Sequence, residues 1–214
     1  MSDAAPQTLQ AVLADGAVVC IRQPNADAAH AAADAAIAGG LTVIEVTLTT
    51  PGALDLMRGL AAREGVLTGG GTVLSPGDLD AVADAGGRFA FSPVFDAAVL
   101  ARGTERGVLV VPGAMTPTEI LTAHRAGAPM VKVFPSAAIG GPAWLRAVRG
   151  PLPDIPLIPT SGPTAETIPD WLAAGASAVG VAGDLFGANW TPASATAAAQ
   201  AIRTTIDACR HGES

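Results

Sequence analysis

Lysine is almost absent from this chain. Lys and Arg together number 12 in 214 residues, and Lys132 is the one lysine among them. An ordinary protein of this length carries roughly ten or more. A composition bias toward Ala, Gly and Arg explains the scarcity but not why one position kept its lysine. Basic charge is scarce as well: 19 acidic residues give a net charge of −7. With no Lys/Arg-rich patch, nucleic-acid binding is not expected. There are two cysteines, Cys20 in an apolar run and Cys209 near the C-terminus. They read as reduced thiols of a cytoplasmic protein rather than a disulfide. No Cys/His cluster has zinc spacing, so no metal is expected. His30, His124 and His211 are scattered and read as helix-surface residues. No run reaches the ~18 apolar residues of a membrane-spanning helix. Met1–Gln10 has neither a cationic segment nor an apolar stretch, unlike a secretory signal.

What the chain does have is apolar bulk, 50% of its residues. That suffices for a core and excludes a disordered or fibrous chain. The length suits a single domain over residues 1–214, with 1–5 and 210–214 expected to fray. Short apolar runs alternate with Ala-rich amphipathic stretches. Strands are expected at 17–22, 41–46, 66–68, 89–92, 108–111, 130–134, 155–159 and 178–182. Helices follow each of them, opened by Asn25 or Asp27, Pro51, Ser75-Pro76 and Thr116-Pro117, and expected again over about 95–105, 142–149, 164–174 and 192–209. Residues 6–15 read as an extra helix ahead of the first strand. Near-continuous apolar strands are typical of a parallel sheet covered on both faces. Eight strand–helix units predict an α/β fold, a (β/α)8 TIM barrel with an extra N-terminal helix. An open doubly wound sheet is the rival.

In such a barrel, function gathers at the C-terminal ends of the strands. Those ends carry Arg22, Glu45 with Thr47, Thr72, Ser92-Pro93, Pro112-Gly113, Lys132, Thr160-Ser161-Gly162 and Gly183-Asp184. Side chains alternate along a strand. If Val131 and Val133 face the helices, Lys132 faces inward; if Ile44 and Val46 do, so does Glu45. A buried charge is costly unless paired or neutral. One reading is a buried Lys–Glu ion pair, a poor stabiliser compared with apolar residues. The other is chemical. Desolvation favours the neutral form of an amine, and a neutral amine is what Schiff-base attack on a ketone needs. A facing carboxyl can move the protons. Arg cannot substitute, because its guanidinium stays charged. Arg22 reads either as a surface cation or as a bidentate clamp on a substrate carboxylate. The loops at Ser161, Gly162, Gly183 and Asp184 lie where barrels hold phosphate, or are ordinary turns.

The chain resembles the 2-keto-3-deoxy-6-phosphogluconate (KDPG) aldolase / 4-hydroxy-2-oxoglutarate aldolase family. The similarity lies in Gly-Gly-Leu-Thr-Val-Ile-Glu-Val-Thr-Leu at 39–48, Gly-Gly-Gly-Thr-Val-Leu at 69–74, Phe-Ser-Pro at 91–93, Val-Pro-Gly-Ala-Met-Thr-Pro-Thr-Glu at 111–119 and Val-Lys-Val-Phe-Pro-Ser at 131–136. It runs from about residue 10 to 205. The resemblance implies a class I, metal-independent, cofactor-free aldolase of trimeric barrels that acts on a sugar acid. Lys132 corresponds to the Schiff-base lysine and Glu45 to the general acid/base. Thr72 corresponds to a carboxylate ligand, Pro93 and Phe134 to walls of the pyruvyl pocket, and Thr160 to a contact for substrate hydroxyls. Thr49 stands where many members carry an arginine; others lack it and end strand one with an arginine, as Arg22 does here. Pro163 brings no N–H to the loop after the seventh strand, and Asp184 stands where some members have a phosphate-contacting serine. Substrates with and without a phosphate therefore stay open. So do a barrel using Lys132 on a phosphosugar without an imine, a pyridoxal-phosphate barrel, and a non-catalytic sugar-acid binder.

Overall fold

The computed structural model describes residues 4–211. Helix α1 (Ala4–Asp15) leads into β1 (Ala17–Ile21), and strands and helices then alternate. They are α2 (Ala26–Ala38), β2 (Val43–Thr47), α3 (Ala53–Ala61), β3 (Leu67–Gly71), α4 (Pro76–Asp84), β4 (Phe89–Phe91) and α5 (Ala97–Arg106). Next come β5 (Leu109–Val111), β6 (Gly113–Ala114), α6 (Pro117–Arg125), β7 (Val131–Val133) and α7 (Gly141–Arg149). The chain closes with β8 (Leu157–Pro159), α8 (Ile168–Ala173), β9 (Val179–Val181) and α9 (Pro192–His211). Of the termini expected to fray, Ala4, Ala5, Arg210 and His211 are helical; residues 1–3 and 212–214 lie outside the described residues.

Local chemistry sets the helix starts. Asn25 Oδ1 accepts from Ala28 N–H at 2.8 Å and caps α2. Ser75 caps α4 ahead of Pro76, and Thr116 forms a capping box with Glu119 ahead of Pro117. The helix expected over 164–174 is shorter, beginning only at Ile168. Thr164 and Thr167 bond each other's hydroxyls and backbone N–H groups, a turn that competes with helix. Pro169 is then confined to the first helical turn.

All the strand ladders are parallel, in two hydrogen-bonded sheets ordered β5-β4-β3-β2-β1-β9 and β6-β7-β8. The expected fifth strand ends at Val111 as β5, and the chain pairs again only at β6, beyond the expected bounds. The cause is Pro112, which has no N–H to continue a ladder, although its carbonyl accepts from Lys132 N–H at 2.8 Å. Just ahead of β9, Ser177 N–H donates to Leu157 O of β8 at 2.9 Å.

The apolar residues divide into two clusters by strand alternation. The larger holds Val19, Ile21, Ile44, Val46, Val131, Val133, Val179 and Val181 against the helices. The smaller holds Val18, Val43, Phe89, Phe91, Leu109, Val111, Met130, Ile158 and Ala178 on the opposite face, with Val12 of α1 joining it. This second, enclosed layer positions the site.

Candidate active site

Five residues stand one alternation step beyond members of the inner apolar layer. Cys20 follows Val18, Glu45 follows Val43, Lys132 follows Met130, Thr160 follows Ile158, and Gly180 follows Ala178. All five line one cavity of about 370 Å³, together with Arg22, Phe134, Ser161, Gly162, Gly183 and Asp184. Strand geometry thus places a polar layer directly on an apolar floor.

Lys132 is 8% exposed and Glu45 3%. Lys132 Nζ lies 5.0 Å from the Phe134 ring centroid and 5.8 Å from that of Phe91. Among the described residues it makes no hydrogen bond and no ion pair, so the buried ion-pair reading finds no contact to rest on. Burial pushes the Glu45 carboxyl above the usual carboxylate range, and the nearby Lys132 charge, a Cys20 contact and Arg22 partly offset it. A carboxyl whose proton is held more tightly than usual is suited to give and take a proton during the reaction.

Arg22 is exposed and reaches across three strand ends. Its Nη1 donates to Thr49 Oγ1 at 2.8 Å and its Nη2 to Thr72 Oγ1 at 3.2 Å. Thr72 has φ +60°, an outlying conformation for a β-branched residue that costs roughly 1–3 kcal/mol. The strain turns its hydroxyl to Arg22. Thr47 does not reach the cavity. It is fully buried, and its hydroxyl donates to Ile21 O at 3.2 Å and pairs with Thr49 and Thr50. In this structure its hydroxyl ties β1 to β2. Pro93 lines a neighbouring cavity that shares the Phe134 wall.

At the other rim, Ser161 takes φ +59°, so the loop after β8 keeps a left-handed residue without a glycine there. Pro163 has no N–H to offer. Asp184 is turned onto backbone, its Oδ2 accepting from Ala165 N–H at 2.6 Å. Thr160 Oγ1 donates to Val133 O at 3.5 Å. His30 and His124 are exposed helix residues. Among the described residues no group of three His, Cys, Asp or Glu could hold a metal ion.

Sequence reasoning missed two members of the site. Cys20 Sγ lies 3.7 Å from Glu45 Oε1; its signal was the inward phase of β1, legible once Val18 is known to face inward. A Cβ on Gly71 would overlap Glu45 Oε1, so this glycine is the slot in which the carboxyl lies. The run Gly69-Gly70-Gly71 was visible, but not what it accommodates.

Three kinds of comparison agree with this geometry. A family profile described as KDPG and KHG aldolase matches residues 9–202. The chain is 39% identical over 142 residues to the 2-dehydro-3-deoxy-phosphogluconate aldolase of Pseudomonas aeruginosa. That alignment covers 66% of this chain and 64% of the relative, just under two thirds of its length. It is 34% identical over 175 residues to the 2-dehydro-3-deoxy-6-phosphogalactonate aldolase of Escherichia coli strain K12, covering 80% of this chain and 85% of that one. Among solved structures it superposes on KDPG aldolase from Legionella pneumophila, captured at low pH with pyruvate as a covalent carbinolamine intermediate. The TM-score is 0.77 at 30% identity, covering 93% of this chain and 96% of that one. On a family match that spans most of its length, this chain belongs to the KDPG and KHG aldolase family.

Proposed function

We propose that the protein is a class I aldolase that cleaves a 2-keto-3-deoxy-6-phospho sugar acid, of gluco or galacto configuration, to pyruvate and glyceraldehyde 3-phosphate. One observation carries this reading: the chain's single lysine is unpaired in a cavity with aromatic walls that it shares with a buried carboxyl. In this mechanism the Lys132 amine, once it has given up its proton, adds to the C2 ketone. The carbinolamine loses water, and the resulting iminium accepts the electron pair of the breaking C3–C4 bond. The aldehyde departs as the C4 hydroxyl gives up its proton. The enamine is protonated at C3, and water then releases pyruvate and restores the amine. Glu45 takes up and returns the protons at each stage.

Arg22, held beside Thr72, is the cation for the substrate carboxylate. Phe134 and Pro93 wall the pyruvyl end, and Thr160 meets the hydroxyls of the departing aldehyde. Backbone N–H groups around Ser161, Gly162 and Gly183 would take the phosphate, with Asp184 bound to Ala165 N–H instead of facing it. A second reading, an unphosphorylated 2-keto-4-hydroxy acid as substrate, is favoured by the N–H missing at Pro163 and the negative charge of Asp184 on this rim. Pyruvate release from phosphorylated and unphosphorylated gluco- and galacto-type 2-keto-3-deoxy acids tests both. Turnover of the phosphorylated acids alone supports the first, turnover of unphosphorylated acids alone the second, and no pyruvate from any of them overturns the aldolase.

Gly71 gives a separate check. Gly71→Ala is expected to displace the Glu45 carboxyl and lower kcat about 100-fold, the scale of a ~1 Å misplacement at a reacting group. Circular dichroism should show the fold retained. Wild-type kcat in this variant would remove Glu45 from the mechanism.

The architecture we propose is one (β/α)8 barrel domain. β1 pairs with both β2 and the last strand β9, which supports closure over an open sheet, and β5 and β6 act as one strand interrupted at Pro112. Val12, with Leu9 and Leu13, packs against the inner cluster, which supports α1 as a plug at the end away from the cavity. Leu74, Val94 and Met115 are 52%, 50% and 48% exposed on loops following β3, β4 and β6. Such side chains would suit an interface between copies; the homotrimer is what the family resemblance implies, and sedimentation would measure it. Cys20 and Cys209 are both free thiols, in keeping with a reducing cytoplasm.

A further inference from the structure

The two oxygens of the Glu45 carboxyl are not equivalent. Oε1 lies in the slot left by Gly71 on β3, where any Cβ would overlap it. From the other side it faces Cys20, its register partner across the β1–β2 pair, with Sγ 3.7 Å away. Oε2 makes no hydrogen bond among the described residues. A protonated carboxyl has one carbonyl-type oxygen and one hydroxyl oxygen, and a donor aimed at one of them favours the proton on the other.

We propose that Cys20 is a positioning residue for proton transfer: its S–H donates to Glu45 Oε1 and so keeps the exchangeable proton on Oε2, the oxygen free to meet substrate. The proposal rests on the reading of Glu45 as the acid/base of the reaction. Burial, and next the Glu45 charge, push the Cys20 thiol well above its ordinary range, so the S–H stays a donor throughout the neutral pH range. The charged groups facing Glu45 are Lys132 on β7 and Arg22 at the end of β1, and both favour its ionised form. The Cys20 contact acts in the same direction. Since both cations stay in place when Cys20 is replaced, the effect of the thiol can be read separately.

The test compares Cys20→Val, which fills similar space without a donor, with Cys20→Ser, which restores one. Cys20→Val is expected to lower kcat about tenfold, part of what a whole proton-transfer group contributes, with KM nearly unchanged. Its acid-side limb of kcat should move to higher pH, because a bond to the ionised carboxylate has been lost. Trapping of pyruvate by borohydride, which reports on Lys132, should persist. Cys20→Ser should return both kcat and the limb toward wild type. A Cys20→Val enzyme with wild-type kcat and limb overturns the proposal, and so does a serine variant as impaired as the valine one, since that is a packing effect. In a Glu45→Gln background, Cys20→Val should cost nothing more, and a further tenfold loss also overturns it. Full activity in Glu45→Gln alone would instead remove the acid/base reading, and the proposal with it.

Discussion

Lys132→Ala is expected to abolish pyruvate release, with kcat/KM falling on the order of 10⁶-fold, the scale at which loss of a covalent nucleophile is felt. No other side chain offers the same chemistry, because the chain has no second lysine. Lys132→Arg should be equally inactive despite retaining the charge, because a guanidinium does not become the neutral nucleophile that imine formation needs. That result separates imine chemistry from simple electrostatic polarisation, which Arg would preserve in part. Sodium borohydride with pyruvate should fix a covalent adduct on the wild-type protein and none on either variant. With one lysine, intact mass alone confines the adduct to Lys132 or the N-terminus, and the variants decide between the two. An adduct that persists in Lys132→Ala, or full turnover in that variant, rejects the mechanism. A pyridoxal-phosphate barrel would reveal itself by cofactor absorbance near roughly 400 nm, since that cofactor carries its own chemistry.

The second large effect joins activity to stability. Glu45→Gln is expected to lower kcat by about 10²- to 10⁴-fold, the usual contribution of a positioned acid/base, while making the folded protein more stable near neutral pH. Burial raises the Glu45 carboxyl above its unfolded value. Between those two values the folded state holds a proton that the unfolded state has released. Stability therefore falls as pH rises from about 4.3, the unfolded value for glutamate, through the higher folded value. Glutamine pays no such penalty at any pH. The melting temperatures of the two proteins should lie close together near pH 4 and separate as pH rises, with the variant higher. A constant difference across that range would show that Glu45 is not destabilised by its burial. The Lys132 charge opposes the effect but ranks below burial, so burial sets the sign.

Much of the site was legible in the sequence because strands have a period of two. Val131 and Val133 bracket Lys132, and Ile44 and Val46 bracket Glu45. Once those valines and Ile44 face the helices, as they do, the charged pair has one direction left. Arg22 was legible as the last residue of an apolar run. Thr47 shows what alternation leaves out. It shares the face of Glu45 but sits where the chain turns, and its hydroxyl is used by Ile21 O and two further threonines. Periodicity gives a side chain's direction, not whether its polar atom is already taken. The helix after β8 was drawn too long for a similar reason, since the mutual bonds of Thr164 and Thr167 are a local competition that hydropathy does not register.

The sequence by itself determined the order of strands and helices, the inward direction of Lys132 and Glu45, and the family. Each of these depends on residues near one another in the chain, or on motifs read in order. Only the tertiary structure decided what Glu45 touches, and that is a meeting of three strands. β1 brings Cys20 to Oε1, β3 leaves the space of a missing Cβ at Gly71, and β7 brings Lys132 into the same cavity. The acidity of that carboxyl and the choice between its two oxygens follow from desolvation and from interactions between residues far apart in the chain, Cys20 and Glu45 among them. Such contacts are products of sheet register, and register is settled when the whole sheet packs.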